Sequence, residues 1–218
     1  ALLSRAAVLM DTADWQGALD DANLVLQNMP DDPRALQIKG ISLFQNDRFR
    51  EALETLELPA LLSRDTVESR WMRIQCCHEQ ALTFREMEEL NALLGIAPTH
   101  EAARLLRAEL LEKLGHYDDA IADLSVALQQ NPANLTALTN RALLSQRRGH
   151  SAEAVDDFTK AIEFSANNAE LYYRRGIARH QTGQSDDALK DLDKAIKLDS
   201  RLADAWYVIG NLEAGGGQ

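Results

Sequence analysis

Small residues recur along the chain at a fixed spacing of 34 positions. One series has Gly or Ala at six of its seven positions: Ala6, Gly40, Ile74, Ala108, Ala142, Gly176 and Gly210. A second series keeps the same step: Ala18, Ala52, Glu86, Ala120, Ala154 and Ala188. A constant period of this length predicts a stack of structural repeats, in which each unit packs on its neighbours.

The pattern of apolar positions predicts two helices in each period. In 101–134, apolar residues at helical spacing end at Gly115, and a glycine after the last turn is typical of a helix C-terminus. The apolar positions of this first helix are Leu105, Leu106, Leu110, Leu111 and Leu114. A second helix then runs to Pro132, which cannot continue it. The next two periods repeat this pattern, with breaks at Gly149 and Gly183.

The small residues have a packing explanation. Two antiparallel helices joined by a tight turn come close only where side chains are small, which suits the Gly or Ala at 108, 142 and 176 and at 120, 154 and 188. Large side chains then fill the adjacent space, namely Leu124, Phe158 and Leu192.

These positions resemble the tetratricopeptide repeat, whose motif is W-x2-L-G-x2-Y, A-x3-F and P at a 34-residue period. The matches are Ala120-x3-Leu124 with Pro132, Ala154-x3-Phe158, Ala188-x3-Leu192 and Trp206-x3-Gly210. The resemblance extends along essentially the full length. It implies an all-α, right-handed α-solenoid of six two-helix repeats plus a C-terminal capping helix. The first helices would line a concave groove that holds a protein or peptide segment.

The expected organisation is a single solenoid over 1–214, followed by a flexible tail at 215–218. The predicted repeats are 1–32, 33–66, 67–100, 101–134, 135–168 and 169–202, with the capping helix at 203–214. A terminal helix of this kind covers the last apolar face of a stack.

Two repeats depart from the pattern. Pro59 falls inside the second helix of 33–66, where a proline costs about 3 kcal/mol, so that helix is expected to end or kink near Leu58. The third repeat has Glu86 where Ala is expected and Thr83 where Trp15, Phe49 and Tyr117 stand. The range 57–100 is therefore predicted to be irregular, with plain drift of a degenerate motif as the alternative.

Net charge argues against two classes of partner. The formal charge of -11 speaks against binding nucleic acid or anionic membranes, which require a basic surface. No apolar run approaches the roughly 20 residues that cross a bilayer.

Cys76 and Cys77 are adjacent, and a bridge between them would be strained, so they are expected to be free thiols. The resulting expectation is a cytoplasmic protein. The chain begins at Ala1 like a fragment, so a periplasmic or secreted parent stays open.

No arrangement of residues indicates catalysis, a cofactor or a metal. Cys77 and His78 are neighbours on a helix and diverge, so they do not form a nucleophile–base pair. The other histidines lack metal-ligand spacing: His100, His116, His150 and His180. Acidic pairs recur near the start of successive second helices and are interpreted as solvated helix starts: Asp118-Asp119, Asp156-Asp157 and Asp186-Asp187. We therefore expect a protein that is not an enzyme.

Removing the packing positions from each first helix leaves a candidate binding face. Its residues are Ile41, Phe44, Trp71, Met72, Asn140, Arg147, Tyr173, Arg174 and His180. The N-terminal part is apolar and could supply anchors, with burial under the segment after Pro59 as the alternative for its Trp and Met. The C-terminal part is polar.

Two consecutive first helices carry six arginines: Arg141, Arg147, Arg148, Arg174, Arg175 and Arg179. They predict a locally basic concave wall, since guanidinium groups bind partner carboxylates by bidentate hydrogen bonds. The alternative is that these arginines pair with Asp and Glu of adjacent repeats.

Some tetratricopeptide domains hold the C-terminal carboxylate of heat-shock chaperones. They use a Lys/Asn pair, an Asn and a Lys/Arg pair on three successive first helices. Asn140 and Arg174 match two of these positions. Leu105, Glu109 and Glu170 do not match, and the charge of Glu170 would repel a carboxylate. The sequence therefore argues against that role.

The predicted function is non-catalytic binding of a protein or peptide segment, as a scaffold or adaptor, with acidic groups of the partner expected at the arginines. Self-assembly through the repeat ends or the irregular third repeat, giving a homo-oligomer, is the first alternative. An RNA-reading helical-repeat protein is the second, although the basic character that it requires is missing.

Overall fold

The computed structural model describes residues 1–215, which form helices joined by short turns and contain no strand. In the N-terminal part the helices are α1 Leu2–Asp11, α2 Trp15–Asn28, α3 Pro33–Gln45, α4 Phe49–Leu56, α5 Pro59–Leu62, α6 Val67–Glu79 and α7 Thr83–Ile96. In the C-terminal part they are α8 Glu101–Lys113, α9 Tyr117–Gln130, α10 Leu135–Arg147, α11 Ser151–Phe164, α12 Ala169–Gln181, α13 Ser185–Leu198 and α14 Ala203–Gly215. Of the predicted flexible tail, 216–218 lie outside the described residues.

The chain divides into two compact units, Ala1–Pro98 and Thr99–Gln218. The N-terminal unit holds α1 to α7 and the C-terminal unit holds α8 to α14. Within each unit, consecutive helices pack as antiparallel hairpins, such as α8 on α9 and α10 on α11. The predicted all-α repeat fold is confirmed. The prediction of one continuous solenoid over 1–214 stays a prediction.

Within a repeat, the first helix ends in a left-handed turn. In the N-terminal unit the left-handed residues are Ala13, Asp47 and Ala81, with φ of 58°, 58° and 53°. In the C-terminal unit they are Gly115, Gly149 and Gly183, with φ of 80°, 80° and 81°. The next residue donates its N–H to a carbonyl five positions back, as His150 does to Ser145 at 2.8 Å. This Schellman-type bond requires the left-handed conformation, which glycine adopts without cost.

Close contact between the paired helices explains the small residues of the first series. A Cβ on Gly40 would lie 2.7 Å from Cδ2 of Leu56, and one on Gly176 would lie 3.0 Å from Cγ of Leu192. Both leucines are almost fully buried. The predicted close approach is therefore confirmed at Gly176, and Gly40 shows the same kind of contact.

The helix break near Leu58 is confirmed. Helix α4 ends at Leu56, Leu58 is extended (φ -63°, ψ 140°), and Pro59 begins the short α5. The irregularity is narrower than the predicted range 57–100, because α6 and α7 have 13 and 14 residues, as α12 and α13 do. Glu86 fits its buried position because its carboxylate lies 2.8 Å from Nδ1 of His78.

Candidate functional site

Five of the six repeats contain an ion pair between the first helix and the second. We call this set the arginine ladder: Arg5–Asp21, Arg73–Glu89, Arg107–Asp123, Arg141–Asp157 and Arg175–Asp191. The two members are always 16 residues apart. The ladder thus follows the same 34-residue period as the small residues.

The ladder pairs are bidentate and partly buried. Nε and Nη2 of Arg141 lie 2.7 Å and 2.7 Å from the two carboxylate oxygens of Asp157. Those of Arg175 lie 2.8 Å and 2.7 Å from Asp191. Asp157 and Asp191 are each 4% exposed. Hydrogen bonding to Asp157 raises the pKa of Arg141 despite the opposing effect of burial.

Each of these two arginines also reaches the preceding repeat. Nη1 of Arg141 donates to Oγ of Ser125 at 3.0 Å, and Nη1 of Arg175 donates to Oγ1 of Thr159 at 3.2 Å. The arginine therefore joins three helices, because its own partner lies on the second helix of the same repeat.

One repeat, 33–66, lacks a ladder pair. Lys39 and Thr55 occupy the equivalent positions, and the hydroxyl of Thr55 donates to the carbonyl of Glu51 at 2.8 Å. The missing pair therefore falls in the repeat whose second helix is cut at Leu56.

The six arginines of the predicted basic wall all have carboxylate partners. Besides the two ladder pairs, the contacts are Arg147–Glu112 at 2.7 Å, Arg148–Asp118 at 2.8 Å, Arg174–Glu170 at 2.5 Å and Arg179–Asp191 at 2.7 Å. The alternative of pairing with adjacent repeats holds for Arg147 and Arg148, whereas the other four arginines pair with acidic residues of their own repeat. The positive charges of these six arginines are therefore balanced by neighbouring carboxylates. Asp157 is likewise buried, contrary to its interpretation as part of a solvated helix start.

Arg174 is held on its own helix. Its Nε donates to Glu170, and its guanidinium carbon lies 5.6 Å from the ring centroid of Tyr173. Both members of the ion pair are more than two-fifths exposed. Arg174 matches the carboxylate-binding motif, whereas Glu170 departs from it. In this structure Glu170 forms the ion pair with Arg174.

The other candidate residues of the C-terminal unit lie on α10 and α12. Asn140 is half-buried, and its side chain has no hydrogen-bond partner among the described residues. Arg147 and His180 are exposed. Tyr173 is half-buried and packs against a cluster that contains Leu192. The structure thus distributes these side chains over two successive first helices.

The candidate residues of the N-terminal unit lie on α3 and α6 and are half-buried. The ring of Phe44 packs edge-to-face on Phe49, with centroids 5.5 Å apart, so much of its surface is used in the hairpin. Ile41, Trp71 and Met72 keep part of their surface exposed. These two helices therefore carry apolar side chains that are partly exposed.

Behind α6 lies an ionic cluster that the sequence analysis missed. Arg73 is 1% exposed and bonds both oxygens of Asp65 at 2.9 Å and both oxygens of Glu89 at 3.0 Å and 3.2 Å. Arg70 joins the same two acids, at 2.5 Å and 2.8 Å. Burial acts to raise the pKa of Asp65, but hydrogen bonds from Arg73 and Ser69 outweigh it, and the pKa is lowered. The signal available was the 16-residue spacing of Arg73 and Glu89.

Both cysteines are free and buried. Burial raises the pKa of Cys76 to about 12 and that of Cys77 to about 11. The thiols therefore stay protonated at neutral pH and are poor nucleophiles.

Within the described residues, no three His, Cys, Asp or Glu side chains form a metal-binding group. In that same part of the chain, helices of a length and hydrophobicity sufficient to traverse a bilayer are absent.

Comparison with known proteins adds to this geometry. The family model of the TT21 fifth ARM repeats domain matches residues 101–208, just under half of the chain. No curated protein sequence matches. A tetratricopeptide repeat protein from Parabacteroides merdae is similar in structure, with a TM-score of 0.67 and 21% identity, covering 99% of this chain and 85% of that one.

Two further solved structures are similar. MamA AMB-1 aligns with a TM-score of 0.68 and 22% identity, covering 76% of this chain and 91% of that one. The first TPR of Spaghetti (RPAP3), bound to the HSP90 peptide SRMEEVD, aligns with a TM-score of 0.52 and 24% identity, covering 54% of this chain and 94% of that one. The chain therefore has a helical-repeat fold similar to that of tetratricopeptide repeat structures, and at these identities the similarity concerns the fold alone.

Proposed function

We propose that the chain binds a protein or peptide segment on the free faces of its first helices and acts as a scaffold or adaptor without catalysis. One observation carries this proposal: Ile41, Trp71 and Met72 are apolar side chains that the hairpins leave partly exposed on two successive first helices. Exposed aromatic and Met side chains are common binding anchors. The fold supports it, because the RPAP3 domain of similar fold is bound to a peptide.

In the C-terminal unit we propose polar contacts. Asn140 has an unused amide, and Arg174 lies in a surface ion pair with Glu170. Such exposed pairs contribute only about 0–1 kcal/mol, so a partner carboxylate can replace Glu170 at small cost. We do not extend the RPAP3 peptide to this chain, because Leu105 and Glu109 stand where that chemistry requires Lys and Asn.

Affinity capture with single variants tests the proposal. We expect Trp71→Ala to lose partners that the wild type retains, because an anchor is removed. Phe84→Ala is the matched control, since Phe84 is a 77% exposed aromatic residue on the second helix α7. The proposal fails if Trp71→Ala and the Arg147→Glu, Arg174→Glu double variant both capture the same partners as the control.

Self-assembly is a second candidate, favoured by a different observation. The last helix, α14, exposes Trp206 at 56% and Tyr207 at 72%. Light scattering over a range of concentrations separates the two functions. If α14 mediates assembly, the average mass rises with concentration in the wild type and stays monomeric in Trp206→Ser, Tyr207→Ser. A constant monomer mass in the wild type rules out this candidate.

A further inference from the structure

The break after α4 leaves a cavity in the N-terminal unit. It has a volume of about 260 Å³ and lies between the start of α3, the end of α4, α5 and the start of α6. Its apolar walls are Pro33, Leu56 and Leu61. Arg34 and Arg64 also line it, and both are exposed. The cavity thus combines an apolar wall with two guanidinium groups.

These two arginines differ from all the others. The chain has seventeen arginines, and fifteen form an ion pair with Asp or Glu. Within the described residues, the side chains of Arg34 and Arg64 form none, and both belong to the same cavity. Carboxylates are not scarce, since 34 acidic residues face 23 basic ones. Two unmatched arginines at one cavity therefore mark a place that fits an added carboxylate.

The acidic residues nearest in sequence to each cavity arginine, Asp32 and Asp65, have other partners. Asp32 caps α3 and accepts the backbone N–H groups of Arg34 and Ala35 at 3.0 Å and 2.9 Å. Asp65 is bound by Arg70 and Arg73. Neither acid forms an ion pair with the cavity arginines, so the two charges stay available to a ligand.

We propose that this cavity binds an acidic peptide segment in which an apolar side chain stands beside a carboxylate. The apolar side chain would lie against Leu56 and Leu61, and the carboxylate would accept hydrogen bonds from Arg34 and Arg64. The volume is just below the range of about 300–1,000 Å³ that is usual for ligand pockets, so it suits one or two side chains. Gln37, which also lines the cavity and has no side-chain hydrogen-bond partner among the described residues, can bond the peptide backbone.

The choice of a peptide as the ligand rests on the proposed function, but the residues differ from the candidate face described above. The Arg34 and Arg64 cavity is formed by the helix break, whereas Trp71, Asn140 and Arg174 lie on regular first helices. The two proposals can therefore fail independently.

The test is an NMR titration of the full chain with the peptide acetyl-Leu-Glu-Leu-Asp-amide. We expect saturable shifts of the Nε–Hε signals of Arg34 and Arg64 and of the methyl signals of Leu61. The neutral peptide acetyl-Leu-Gln-Leu-Asn-amide is expected to bind at least about tenfold more weakly, because it offers no charged acceptor.

Matched variants locate the binding. Arg34→Gln, Arg64→Gln is expected to weaken binding of the acidic peptide at least about tenfold without lowering the thermal midpoint, since no native ion pair is lost. Arg48→Gln, Arg50→Gln removes two arginines that are paired with Glu51 and Glu54 in the same unit, and it should retain the affinity.

Three results would overturn the proposal. The first is no saturable shift up to about 10 mM peptide, which corresponds to negligible affinity. The second is binding that does not depend on charge, seen either as equal binding of the neutral peptide or as unchanged binding of the acidic peptide by Arg34→Gln, Arg64→Gln. The third is binding of isovalerate as tight as that of the peptide, which would assign the cavity to a small free carboxylate. If Trp71→Ala still loses captured partners in any of these cases, the proposed function stands alone.

Discussion

The two units follow one 34-residue plan but execute it differently. The C-terminal unit has glycine at each left-handed turn, at Gly115, Gly149 and Gly183, and three consecutive ladder pairs. The N-terminal unit has Ala13, Asp47 and Ala81 at those turns, one repeat without a ladder pair and one second helix cut short. The comparison shows which parts of the plan are dispensable: α3 and α4 still pack as a hairpin without the ion pair.

The turns imply a difference in strain. A left-handed conformation costs an alanine about 1–2 kcal/mol and costs glycine almost nothing. Ala13 and Ala81 carry this cost, whereas aspartate tolerates the conformation better at position 47. We therefore expect that glycine at these alanine positions raises the free energy of unfolding.

The largest expected effect comes from the ladder. Asp157→Ala leaves the partly buried guanidinium of Arg141 without its acid, and should lower the free energy of unfolding by about 2–4 kcal/mol. Urea unfolding followed by circular dichroism measures this. Asp118→Ala is the control, because it breaks the exposed pair with Arg148 and should cost less than about 1 kcal/mol. Equal losses in the two variants would show that the ladder is no more important than a surface pair.

The next effect concerns a glycine turn. Gly149→Ala places a Cβ on a residue with φ of 80°, and should lower the free energy of unfolding by about 1–2 kcal/mol. Steric contact is not the cause, since nothing lies within 4 Å of that Cβ. Gly95→Ala, which also has open space but lies in helix α7, should instead be neutral or stabilising. The same urea series decides, and a neutral Gly149→Ala would remove the strain argument.

The reverse substitution sharpens the comparison. Ala81→Gly relieves the left-handed turn after α6 and should raise the free energy of unfolding by about 1 kcal/mol. Ala92→Gly, at an exposed position inside α7, should lower it by about 1 kcal/mol. Opposite signs for the two Ala→Gly changes are the result to look for. A loss of stability in both would contradict the explanation.

The smallest effect is a pH dependence in the N-terminal unit. The pKa of Asp65 is lowered in the folded chain, so its stabilising contribution is complete above the unfolded pKa and is lost as the pH falls through the folded value. Asp65→Asn should therefore be less stable than the wild type at neutral pH, with a gap that narrows below about pH 4. Thermal midpoints measured across this range test it. A gap independent of pH would indicate a packing effect instead of a charge effect.

Much of the fold could be predicted, because it depends on local rules. Pro59 cannot sit inside a helix, and Gly176 leaves room for Leu192, so the sequence alone indicated both the break and the contact. The ion-pair partner of Arg141 was harder to predict. Its 16-residue distance from Asp157 was visible, but whether the pair turns inward depends on the helix rotation that packing sets.

The cavity could not be predicted from the sequence. It arises from the direction in which α5 leaves Leu58, and that direction is fixed by contacts of α5 with α3. Arg34 and Arg64 are 30 positions apart and belong to no motif. Whether they lack acidic partners depends on which side chains the folded helices bring near them.

The spacing of the ladder also has a consequence for how such a chain changes over evolution. Arg175 and Asp191 lie inside one 34-residue period, as do the members of the other pairs. Duplicating or deleting a whole period in the gene would therefore add or remove both charges at once. Array length could vary in this lineage without leaving the acid of a ladder pair buried and unpaired.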